Sequence, residues 1–114
     1  MPLIFKIADK PLWKDAEAKG AFTGAPVDLK DGYIHFSTAD QVKETAGKHF
    51  AGKTDLLLIA VEAGQLGAAL KWEPSRGGAL FPHLYEALSL DHVLWVKPLP
   101  LASDGTHAFP SLDQ

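Results

Sequence analysis

The 114-residue chain contains no cysteine. That excludes disulfides, a thiolate nucleophile and cysteine-ligated zinc or iron–sulfur centres. Arginine occurs once, at Arg76, and the net charge is -3. A broad positive field of the kind that grips nucleic acid is therefore absent, although a local basic pocket is still allowed. Long apolar runs are also missing. The longest, residues 56–61, falls far short of the roughly 20 residues that span a bilayer. No basic leader followed by an apolar stretch and a small-residue cleavage site opens the sequence, which predicts a cytoplasmic protein without an export signal. No Gly-x-Ser-x-Gly elbow, Gly-x-Gly-x-x-Gly fingerprint or phosphate loop occurs, which disfavours serine-hydrolase, dinucleotide-fold and P-loop readings. No two of the five histidines have a compact metal-ligand spacing, so no metal is predicted.

What is present is ordinary for a globular chain: 46% hydrophobic and 22% charged residues, enough for one domain with its own core. Residues 1–98 read as that domain, and 99–114, with Pro100, Asp104, Gly105 and Pro110, as an irregular tail. Residues 3–7 read as a strand. Asp9 and Pro11 open a helix that buries Trp13 and Ala16 and ends at Gly20. Residues 21–31 read as a loop. Residues 33–37 alternate, with Tyr33, His35 and Ser37 on one face and Ile34 and Phe36 on the other. Thr38-Ala39-Asp40-Gln41 fits a capping box, so a second helix is expected from there to Gly52. Residues 55–62 read as a strand covered on both faces, 70–73 as a short strand, 75–78 as a mobile loop and 80–85 as extended or irregular. Residues 91–97 read as the last strand. Two helices and about five strands make an α+β domain.

Three segments could carry chemistry. His35 and Ser37 end a strand beside a helix N-terminus, a place that favours anions and polar ligands. Ser37 could equally serve only as a cap, and His35 as a hydrogen-bonded core side chain. Trp72-Glu73-Pro74-Ser75-Arg76-Gly77-Gly78 offers a carboxylate, a hydroxyl and a guanidinium that can fork onto a phosphate, or else forms a surface turn with a local ion pair. Phe81-Pro82-His83-Leu84-Tyr85 holds His83 and Tyr85 on one side of an extended chain, as a proton carrier and a stacking ring, or as a core edge with two satisfied polar tips. Convergence of His35, Ser37, Glu73, His83 and Tyr85 on one pocket is the expectation that follows from treating the three segments together.

Asp31-Gly32-Tyr33-Ile34-His35-Phe36-Ser37-Thr38-Ala39-Asp40-Gln41-Val42, Lys71-Trp72-Glu73-Pro74 and Leu80-Phe81-Pro82-His83-Leu84-Tyr85 resemble the pattern of domain-of-unknown-function family 952, small bacterial proteins, over about residues 3–98. A strand ending in His-apolar-Ser, a helix with Thr45-Ala46-Gly47 and a following apolar strand are more distantly similar to the RNA 2′-phosphotransferase branch of the ADP-ribosyltransferase superfamily, over about residues 31–62. That second resemblance implies a mostly antiparallel split sheet with a cleft that takes NAD or a related nucleotide. It implies that His35 and Ser37 hold ribose or amide groups. With it, Glu73 is expected to stabilise positive charge on the ribose, Arg76 to hold pyrophosphate, Tyr85 to stack on a ring and His83 to carry a proton. His35, Glu73 and His83 are then the catalytic candidates; Ser37, Arg76, Tyr85 and Lys6 are the ligand-binding ones. The NAD-using enzymes carry a His-Gly-Thr-like triplet on the first strand, where this chain has Phe5-Lys6-Ile7. This difference favours the alternative, a non-catalytic module that binds a small molecule or a protein on the same fold.

Overall fold

The computed structural model describes residues 3–112, without the side chain of Arg76. Strand β1 (Leu3–Asp9) and strand β5 (Leu56–Glu62) pair antiparallel along their full lengths. Both are almost wholly apolar, so both can lie at the middle of a sheet with each face covered. Alternation divides their side chains. Ile4, Ala8, Ile59 and Val61 enter one core cluster with Trp13, Phe22, Ile34, Phe36, Leu84 and Leu88. Phe5, Ile7, Leu56, Leu58 and Ala60 enter a second cluster, on the opposite face, with Val42, Ala46 and Leu99. Strand β4 (Ser37–Thr38) and strand β9 (Val93–Pro98) complete this antiparallel sheet, in the order β4-β1-β5-β9.

A second antiparallel sheet has the order β3-β7-β6, from β3 (Ile34–His35), β6 (Leu70–Pro74) and β7 (Leu80–Leu84). A two-stranded ribbon joins β2 (Ala21–Phe22) to β8 (Leu88–Ser89). The single strand expected at 33–37 is thus divided between two sheets. At Phe36 the chain leaves one and enters the other: its N–H donates to the Pro82 carbonyl at 3.0 Å, while Ser37 pairs with Phe5. Pro82 lies in the central strand opposite Trp72 of β6; it lacks an N–H to donate, but its carbonyl still accepts from Phe36 on the other side.

Helix α1 (Lys10–Lys19) has Asp9 as its N-cap residue, yet the Asp9 carboxylate bonds no helix N–H and instead faces Lys53 at 3.3 Å. Gly20, at φ 81°, ends it where an L side chain would be strained. The stretch expected to be a loop contains β2 and a short helix α2 (Pro26–Asp31), so the described chain has three α-helices and not two. Pro26 supplies the first-turn conformation and Gly32 the closing left-handed residue. Six residues are too few to show a helical period, which is why the pattern hid it. Helix α3 (Val42–His49) starts later than the capping box implied. Thr38 is committed to β4, and Gln41 folds back: its Oε1 accepts the Thr38 N–H and its Nε2 donates to the Leu80 carbonyl.

The connection expected at 75–78 takes a defined form, and one further expectation changes. Residues 75–78 form a tight turn joining β6 to β7, closed by Ser75 N–H to Ala79 O and Gly78 N–H to Ser75 O. Val93, which the alternation along 91–97 puts with Trp95 on one face and so leads one to expect in the core, is only half-buried, because it lies on an edge strand beyond a register shift opposite Ala60 and Val61. Residues 99–112 are irregular in backbone but docked: Leu99 is buried, and Phe109 and Leu112 pack on the second cluster.

Phe36 is buried at the crossing between the sheets, so replacing it removes apolar contact where both halves meet. Phe36→Ala is expected to cost about 3–5 kcal/mol. Urea denaturation checks this, and an unchanged midpoint would show that the crossing is not a packing centre.

Candidate functional site

Because the chain changes sheets at Phe36, the two sheets diverge there and leave a cleft of about 590 Å³. Phe5, Phe36, Phe50 and Phe81 give it an apolar wall, while Lys6, His35, Ser37, Thr45 and His83 bring polar groups to the same space. A volume in this range with a few convergent polar groups is typical of small-molecule sites.

Asp28, on the inner side of α2, is 1% exposed. Its carboxylate accepts the Lys6 ammonium at 2.8 and 3.0 Å, the Ala25 N–H at 2.8 Å, and the N–H and Nδ1–H of His35 at 3.1 and 2.6 Å. Burial alone would raise its pKa. The His35 hydrogen bond, the Lys6 charge and hydrogen bond, and the Ala25 amide together outweigh that and bring it from 3.8 to about 2. Lys6 shows the opposite balance: burial draws its pKa below 10.5 against the holding effect of Asp28. The second ring nitrogen of His35 faces Asp31 at 3.0 Å. Both carboxylates can accept from His35 at once only when both nitrogens carry hydrogen.

The opposite side of the cleft is organised by Glu73. Its Oε1 accepts from His83 Nδ1 at 2.8 Å and from the Tyr85 hydroxyl at 2.7 Å. The period of two explains the pair: His83 on β7 and Tyr85, one residue past its end and still bonded by its N–H to the Ala69 carbonyl, project on one side and reach Glu73 of the adjacent strand β6 together. Tyr33 stacks on His83, with ring centroids 4.2 Å apart, and lies 5.1 Å from Tyr85. The Tyr85 and His83 hydrogen bonds lower the Glu73 pKa, and the same Tyr85 bond raises that of the phenol to about 12. His35 and His83 are register partners across β3 and β7, and their rings meet edge to face at 5.5 Å.

The predicted residues thus come together, but in two ranks. Lys6, His35, Ser37 and His83 line the cleft; Ser37 Oγ bonds Thr45 Oγ1 at 2.9 Å. Glu73 and Tyr85 do not line it. Glu73, expected to face a bound ribose, turns one carboxylate oxygen to His83 and Tyr85. Tyr85, expected to stack on a ligand ring, instead leans on Tyr33. Lys6, expected to meet a ligand, is already clasped by Asp28. The Arg76 side chain lies outside the described residues. Asp28 and the phenyl wall were missed. A lone Asp in a Pro/Gly-rich stretch reads as a turn residue, and only its fold partner Lys6 marks it. Among the described residues, no three His, Asp or Glu side chains group as metal ligands would.

The chain belongs to the family described as a protein of unknown function (DUF952), whose model matches residues 7–96. It is similar to the crystal structure of protein CC0527 from Caulobacter crescentus, at 50% identity over 93% of each chain and a TM-score of 0.90. The solution NMR structure of CC0527 matches at 51% identity over 93% of this chain and 91% of the other, with a TM-score of 0.84. No curated protein matches.

Two titrations follow from this geometry. Asp28 has a folded pKa below its ordinary value, so its stabilisation is present above pH 4 and is lost as pH falls through 3.8 toward 2. The parent should lose about 2 kcal/mol over that range, beyond the loss in Asp28→Asn, as measured by urea denaturation at each pH. Parallel acid limbs would contradict it. In a spectrophotometric titration of the two tyrosines, Tyr85 should ionise near 12, and Glu73→Gln should move that step down.

Proposed function

We propose that the cleft between the two sheets binds a nucleotide-type small molecule, NAD or ADP-ribose being the ligands its chemistry suits. The observation that carries this is the phenyl wall facing polar side chains across one space of about 590 Å³. A planar base or nicotinamide ring fits against Phe5, Phe36, Phe50 and Phe81, while Ser37, Thr45 and His35 are placed to meet ribose hydroxyls or an amide. Arg76 is the proposed phosphate contact. Its neighbour Ser75 lines the cleft, and Gly77 and Gly78 let backbone approach a ligand. Lys6 helps through the cleft's field and not as a free anion clamp, since both Asp28 oxygens already engage it. The reading expects a cytoplasmic protein. Among the described residues no helix is long and apolar enough to cross a membrane.

One observation favours a second reading, the non-catalytic binding module. The carboxylate expected beside the ribose holds His83 and Tyr85 instead, so cleavage of a nicotinamide bond would lack that stabilising charge.

Calorimetric titration with NAD and with ADP-ribose is expected to give dissociation constants between micromolar and millimolar. Ser37→Ala should weaken binding at least about threefold, and Arg76→Ala more, since a charged hydrogen bond is worth more than a neutral one. Absence of heat, together with absence of thermal protection at high ligand concentration, would direct the search to another ligand class.

A further inference from the structure

We propose that His83 is a catalytic base whose Nε2 removes the proton from an O–H group in the cleft, either a hydroxyl of the bound ligand or a water, with Glu73 as its positioning residue. This rests on the small-molecule cleft proposed above and adds a reaction class to it. The His83 side chain is 4% exposed. Its Nδ1 donates to Glu73 Oε1, and its face is stacked on Tyr33, so both the edge and the plane of the ring are fixed. Nε2 makes no hydrogen bond to the described residues. It is not among their buried, unpartnered polar atoms either, which are the indole nitrogens of Trp13 and Trp95. It is therefore open to the cleft that His83 lines. With hydrogen on Nδ1, the neutral ring carries its lone pair on Nε2, facing the ligand space.

The carboxylate behind the ring fixes this tautomer and stabilises the imidazolium that forms after proton transfer, the division of labour found in histidine–carboxylate pairs generally. His35 is unsuited to the same part, because each of its nitrogens already faces a carboxylate. In the step proposed, the O–H bond breaks and its electron pair stays on oxygen. The proton binds Nε2, and the oxygen attacks an electrophilic phosphorus or carbon of the ligand. The leaving group departs with the bonding pair and takes the proton back from Nε2. Hydrolysis results when the O–H is water and intramolecular transfer when it is a ligand hydroxyl; neither needs an oxidant or a metal.

Two readouts on the full chain test this. Diethyl pyrocarbonate carbethoxylates an imidazole nitrogen that has a free lone pair, and mass spectrometry assigns the product among the five histidines. The expected result is modification of His83 in preference to His35, slowed at least about fivefold by Glu73→Gln. With p-nitrophenyl acetate as a model ester, the parent should release nitrophenolate at least about tenfold faster than His83→Asn, with Glu73→Gln between them. Thermal midpoints of both variants establish that they are folded. An inert His83 in the folded parent, or ester turnover equal in parent and His83→Asn, would overturn the proposal. Modification indifferent to Glu73→Gln would overturn the part assigned to Glu73. If ADP-ribose fails to protect His83 while the other results hold, the base is supported and the nucleotide reading fails.

Discussion

The carboxylate of Asp28 ties together three parts of the chain that are remote in sequence: Lys6 on the central strand β1, helix α2 and His35 on β3. Such a buried group is not a simple gain in stability. Removing two charges from water costs several kcal/mol each, and a matched apolar pair can be as stable. What the ion pair adds is geometry. With donors from four directions, Asp28 has one satisfied position, and α2 must close over the edge of the cleft to supply it. Gly24 marks how close that approach is: a Cβ there would come within 2.9 Å of the Asp28 Cβ.

The second constraint is the change of sheet at Phe36. One sheet continuing through residues 33–38 would have no cleft, only a packed face. Because β3 ends at His35 and β4 begins at Ser37, the two sheets separate, and residues from both open onto the gap. Register then decides the chemistry. Pairing of His35 with His83 brings two imidazoles into contact, and the adjacent strand places Glu73 where it holds His83 from behind. The result is an asymmetric pair. One histidine is closed off by carboxylates on both nitrogens, and the other is tethered on one side and open on the other.

Much of the scaffold was legible in the sequence. The apolar runs of β1 and β5 and the Pro11 and Gly20 boundaries of α1 are strong local signals, and so was the placement of Trp13, Ile34, Phe36, Leu58 and Ala60 in the core. The alternation that put Tyr33 with His35, and His83 with Tyr85, also survives as one aromatic cluster. What was not legible depends on partners far along the chain. Residues 21–31 look like loop because β2 and α2 are too short to declare a period. The break at Phe36 is set by Pro82 and by β1, not by its neighbours. Glu73 was rightly grouped with His83 and Tyr85, but its orientation follows from the register of β6 on β7, which no local pattern encodes.

The claim that the Asp28–Lys6 contact organises the cleft is tested most directly by a double-mutant cycle read by chemical denaturation. Lys6→Met and Asp28→Asn each leave a buried partner uncompensated, so each single change should cost about 3–5 kcal/mol. The double variant leaves neither charge stranded, and its loss should fall short of the sum by more than about 2 kcal/mol. Losses that simply add would mean that the two groups act independently and that the cleft is held by packing alone.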